Sequence, residues 1–186
     1  MKNSFAIAAL TITAIVLGTD NVQAQTVPAL TASATTTATI TLSDVISIDT
    51  GSAAAGGTVG FNYASAADYN TAQTVAQASA LKVTSTKQFS VNVKAGGESF
   101  INGTNLIPVN VLTIKAAAAP GIMGGKKSDV ILTANDQTLV ANAPLGSALV
   151  LNLDYTIPAD KSSSADILGK PAGTYTQTVI YTASTL

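Results

Sequence analysis

The 186-residue chain contains no Cys, no His and no Trp, and all nine of its basic residues are Lys. Each absence removes a chemistry. Without imidazole or thiol there is no Ser-His-Asp triad, no Cys nucleophile, and no Cys/His ligation of zinc, haem or iron–sulfur clusters. Without Arg there is no guanidinium fork to grip phosphate or guanine. Charged residues make up only 10% of the sequence and the net charge is −1, which leaves no basic footprint for nucleic acid. Thr (26 residues) and Ala (32 residues) dominate instead. Thr suits a pleated surface, where β-branching is tolerated and the hydroxyl meets water.

Residues 1–24 read as a secretory signal. Lys2 supplies the positive end, and Phe5 to Leu17 is an apolar run shorter than the roughly 20 residues a membrane helix needs. Val22-Gln23-Ala24 then offers a small-x-small cleavage pattern. No later segment is apolar enough to span a bilayer, so no membrane span is expected after cleavage. The absence of Cys excludes a lipid-modified terminus. The expected location is secreted: extracellular or cell-surface, with the periplasm as the other compartment this signal serves. Residues 25–35 (QTVPALTASAT) read as a flexible lead-in, and 36–186 as a single β-sandwich domain.

Beyond the lead-in, apolar residues recur with period two. Ala38, Ile40 and Leu42 share one face, opposite Thr37, Thr39 and Thr41. Strands are expected there, at Ile46–Ile48, at Val59–Phe61–Tyr63, at Leu81–Val83 and at Phe89–Val91–Val93. A strand led by Ile107 and Val109 changes phase at Val111-Leu112, as a β-bulge would cause. The clearest alternation is Leu149, Leu151, Leu153, Tyr155 and Ile157, stopped by Pro158. The last strand is expected from Thr174, with Tyr175, Val179, Tyr181 and Ala183 inward. Residues 66–80 place Tyr69, Ala72, Val75 and Ala76 at helical spacing, and leave helix, strand and loop all open. Many short strands between turn signals predict an all-β, antiparallel immunoglobulin-like β-sandwich.

No catalytic, cofactor-binding or metal-binding residues are assigned, and the chain is expected not to be an enzyme. Gly121 to Ser128 (GIMGGKKS) fails the phosphate-loop spacing, because Lys127 stands where Ser or Thr must reach magnesium. Glu98 is the only Glu, and most Asp residues lie beside turns, where they bond backbone N–H groups. Asp160 with Asp166, or Asp129 with Asp136, lacks the spacing of a calcium loop. Lys161 beside Ser162 is the one nucleophilic arrangement the composition permits, and a polar loop does not desolvate the amine. Aromatic rings fall mostly on inward strand positions. Tyr69 and Phe100 lie off that phase and are the candidate ligand contacts.

Lys170 to Ala183 (KPAGTYTQTVIYTA) resembles the closing strand of bacterial surface β-sandwiches. The P-A-G-T-Y-T-x-T pattern is similar to the end of WxL-type cell-surface domains and of pilin-like spore coat U subunits. Phe89-Ser90-Val91 and Tyr181-Thr182-Ala183 stand where that first family has Trp-x-Leu motifs, without the Trp; the Cys pair usual in the second is absent. Tyr175 is expected to plug the sandwich end, with its hydroxyl bonding backbone as in a tyrosine corner.

The resemblance implies a secreted bacterial surface protein with a structural or adhesive role. Its partners would be the cell envelope or other surface proteins, itself, or a glycan, and not nucleic acid. An alternative is a pilus subunit assembled by donor-strand exchange. Residues 25–35 offer that mechanism only Val27 and Leu30. Extending the donor to Ile40 and Leu42 would remove a strand from the domain's own sheet. The other alternative is a glycan- or peptidoglycan-binding module using Tyr69 or Phe100.

Overall fold

The computed structural model describes residues 32–186. The signal segment (1–24) and residues 25–31 of the lead-in lie outside the described residues. The chain divides into two units at Ile40 and Thr41. In the first, residues 32–40 carry no regular secondary structure and are exposed throughout.

The second unit is mostly β, with antiparallel sheets. In chain order the elements are β1 (Ile46–Ile48), α1 (Ala66–Asn70), β2 (Gln73–Ser85), β3 (Phe89–Ala95), β4 (Ser99–Asn102), β5 (Asn105–Pro108) and β6 (Thr113–Ala116). There follow β7 (Lys126–Lys127), β8 (Val130–Ile131), β9 (Gln137–Ala143), β10 (Gly146–Ile157), α2 (Ala159–Ser162) and β11 (Val179–Thr185). One sheet has the spatial order β1-β2-β10-β6-β8, a second β11-β3-β9-β7, and β4 and β5 form a separate hairpin. Gly103 takes a positive φ of 59° at the first of the two residues joining that hairpin, the position a Gly-first tight turn reserves for glycine.

Alternation dictates the core. On β3, Phe89, Val91 and Val93 are fully buried while Ser90, Asn92 and Lys94 face the other way. On β10, Leu151, Leu153, Tyr155 and Ile157 are buried in the same rhythm, and the strand ends before Pro158. These side chains join Leu81, Val83, Ile114, Leu139 and Val140 in one cluster, to which both large sheets contribute. Each fully buried Leu or Val stabilises the fold by about 1.5–3 kcal/mol.

Four register shifts interrupt the long strands: one between Leu151 and Leu153 opposite Ser79, one beside Asn142, one between Val91 and Asn92 opposite Leu139, and one beside Ala148. Ser79, Asn142 and Ala148 are the non-Gly residues with positive φ among the described residues. Each sits in a stretch where its strand carries more residues than its partner and leaves the pleat.

Several sequence expectations are corrected. Residues 38–42 form no strand; Ile40 is 84% and Leu42 88% exposed. Alternation demands an extended chain with two unlike faces, but it does not choose the edge that pairs with it. Val59, Phe61 and Tyr63 pack half-buried against the core without joining a ladder, in a stretch interrupted by Gly57 and Gly60. The phase change near Val111 is a 3-10 turn over Val109–Val111, not a bulge. The 66–80 segment is both things in turn, a five-residue helix and then the first half of β2. The last strand starts at Val179; Thr176 makes only an isolated bridge to Ile101. Tyr175 is half-buried and outside the core cluster, so it plugs nothing, although its hydroxyl does donate to the Pro171 carbonyl at 2.9 Å.

The stretch 117–125 stays irregular because it serves β10 where β6 has ended. Asn152 N–H donates to Pro120 O, Asn152 Nδ2 to Ala119 O, and Met123 N–H to Val150 O. Met123 is thereby driven into the core, 1% exposed, and Lys127 Nζ is tied to its carbonyl at 2.8 Å. The Gly-rich run thus anchors a loop to the sheet.

Candidate functional site

Two features of the second unit stand apart from a closed core. The first is an open margin. β1 and β11 each pair on one side only and lie close together, so one free edge of each large sheet falls on the same side. Inward side chains that are fully buried elsewhere are only half-buried here: Ile46 and Ile48 on β1, and Val179, Tyr181 and Ala183 on β11. The sheets are nonetheless tied at this end by a 2.7 Å hydrogen bond between the hydroxyls of Tyr155 (β10) and Tyr181 (β11). Burial raises the pKa of both phenols.

The second feature is a tyrosine-lined cleft of about 480 Å³, bordered by Tyr63, Ser65, Tyr69, Asn70 and Leu168. The rings of Tyr63 and Tyr69 meet at a centroid distance of 4.9 Å, tilted by 43°. A five-residue helix is too short to persist on its own. α1 holds because its ends are tied. Asp68 Oδ2 accepts hydrogen bonds from Ala64 N–H, Ser65 N–H and the Ser65 hydroxyl, at 2.7–2.9 Å. These bonds, the Ser65 backbone one first, lower the Asp68 pKa. At the other end Asn70 Nδ2 donates to Ala66 O and Thr71 Oγ1 to Ala67 O. Tyr63 is fixed separately, by a 2.8 Å bond to the hydroxyl of Ser162, which is fully buried on α2. Burial raises the Tyr63 pKa, partly offset by that bond.

Of the two candidate contacts, Tyr69 lines the cleft. Phe100 does not: on β4 it pairs with Ile107 and packs half-buried against the core, leaving Ile101 and Leu106 on the exposed side of the hairpin. The structure therefore does not bring the two together. In the sequence Tyr63 reads as an inward strand residue, Ser162 only as the neighbour of Lys161, and Leu168 carries no signal for a site. The Ser65-x-x-Asp68 spacing, a helix-start pattern, is the one sequence clue to how Tyr69 is held. Ser162, beside Lys161, is buried against Tyr63 and has no exposed nucleophilic oxygen. The carboxylates serve locally: Asp49 accepts from Thr84, Asp44 pairs with Lys87, and Asp136 with Lys94. Among the described residues no cluster of three metal-ligating side chains is present.

A scan of the chain against models of known protein families returned no match, and no curated protein matches it. The class its fold defines is a mostly β protein built on antiparallel sheets.

Proposed function

We propose that the chain is an exported, non-enzymatic protein of a bacterial surface, with a structural or adhesive role. Its β unit would be an immunoglobulin-like sandwich, and copies of it would associate by strand addition. The observation that carries this reading is an open margin in a chain that also has a spare strand-forming segment. From Ala32 to Ser43 one face reads Ala32, Ala34, Thr36, Ala38, Ile40, Leu42, and the other Ser33, Thr35, Thr37, Thr39, Thr41, Ser43. Such a segment is amphipathic as a strand, yet it pairs with nothing among the described residues. The objection that this donor would rob the domain's own sheet falls away, since β1 begins only at Ile46.

A strand laid between β1 and β11 would satisfy two rows of free backbone groups and cover the half-buried side chains behind them. Burying Ile40 and Leu42 would add about 1.5–3 kcal/mol each. The signal-like residues 1–24, the sparse charge and the likeness of residues 170–183 to surface β-sandwiches support the exported, envelope-associated part of the reading.

Immunoblots of envelope and medium fractions, run with and without boiling in SDS, test the proposal. The expected result is a ladder that collapses to one band on boiling and is lost in an Ile40→Asp/Leu42→Asp variant. A single monomer band under both conditions overturns strand addition.

A further inference from the structure

We propose that the Tyr63–Tyr69 cleft binds a neutral saccharide, of the β-linked glucose or N-acetylglucosamine type whose rings present flat C–H faces. The inference is independent of strand addition and rests on three properties of the cleft. The first is preorganisation. Tyr63 is locked by a buried hydroxyl, and Tyr69 rides on a helix tied at both ends by its own side chains. A site whose rings are already held loses little conformational freedom on binding. Tyr69 also packs half-buried against the core, and β2 begins three residues after the helix ends, so the ring is held from both sides.

The second property is charge. No Lys, Asp or Glu borders the cleft, and the nearby Asp68 carboxylate is engaged by the helix start. An anionic ligand would meet that carboxylate with no cation to offset it, and a cationic one would find no exposed counter-ion lining the cleft. The third is the polar inventory. Tyr69 Oη and Asn70 Oδ1 have no hydrogen-bond partner among the described residues, and both residues border the cleft. Aromatic faces with a few free hydroxyl and amide groups suit a ring that is apolar on its faces and hydroxylated at its edge. Leu168, 57% exposed, widens the apolar wall.

Titration of the protein with cellotetraose and chitotetraose, followed by the ring-proton resonances of its tyrosines, tests this. Tetragalacturonate serves as the anionic comparison and decaproline as the peptide comparison. The expected result is saturable binding of at least one neutral tetrasaccharide that shifts the Tyr69 ring. Tyr69→Ala should weaken it by about three- to tenfold, the usual worth of an aromatic contact, while Tyr69→Phe keeps most of it. Leu168→Asp provides a second reading at an exposed position should Tyr69→Ala fail to fold. The proposal is overturned if neither neutral sugar saturates, if the tetrasaccharide binds Tyr69→Ala and Leu168→Asp as well as the parent, or if decaproline or tetragalacturonate occupies the cleft in their place.

Discussion

Burial of the paired Tyr155 and Tyr181 hydroxyls sets how the protein is expected to meet alkali. Both phenols have pKa values raised by burial, so the neutral forms belong to the folded state. A raised folded pKa contributes stability that is fully present below the unfolded value, near 10, and is lost as pH rises through the folded one. The expected outcome is that tyrosinate absorbance from this pair appears together with the loss of β-sheet circular dichroism. A Tyr155→Phe/Tyr181→Phe variant should lack that coincident step. Asp68 acts at the opposite end of the scale. Its lowered pKa contributes order to α1 above the unfolded carboxylate value, and that order is lost as pH falls through the folded value. Amide exchange at Ala64 and Ser65 should accelerate there while the β3 amides stay protected; unchanged exchange would mean that the carboxylate does not hold the helix start.

At the scale of elements, the bulges show where sequence reading stops. β3 and β10 were legible because each keeps one apolar phase along its buried length, as Phe89–Val93 and Leu149–Ile157 do. β2 was legible only as Leu81–Val83, because its first half carries Gln and Ala at strand positions and its phase breaks at Ser79. That break is a backbone event satisfied from afar, by Asn152 Oδ1 accepting from Ser79 N–H at 2.7 Å, and no local pattern encodes it. The β4 strand was missed for a similar reason: its inward Phe100 and outward Ile101 are both apolar, so no alternation marks it. Ala148 is the least suited of the three residues with positive φ, since at 51° it alone has no polar side chain that could bond locally to offset the strain. Ala148→Gly should stabilise the protein by about 1 kcal/mol, read as a higher urea midpoint at unchanged slope. A lower midpoint would mean that the strain is relieved elsewhere.

For the molecule as a whole, a chain with only 10% charged residues leaves pH and salt little to act on. The ion pairs among the described residues, Asp44–Lys87 and Asp136–Lys94, lie at the surface, where such pairs are worth about 0–1 kcal/mol. With no His in the chain, no side chain of ordinary pKa titrates between pH 5 and 8. The urea midpoint should therefore hold steady across that range and between low and moderate KCl, and a clear drift with either would point to a charge interaction outside these pairs. The β class was legible from the period-two pattern, but the open margin was not. Half-burial of Ile46 and Tyr181 depends on what lies beside them in space, and their neighbours in sequence are silent on it. The unequal lengths of the two free edges, three residues on β1 and seven on β11, finally carry a mechanical consequence. A strand lodged between them would be gripped mainly by β11, whose bonds run across the strand direction. Tension along that strand would load those bonds together in shear, whereas a sideways pull would break them one after another. A filament of such subunits would resist stretching far better than peeling.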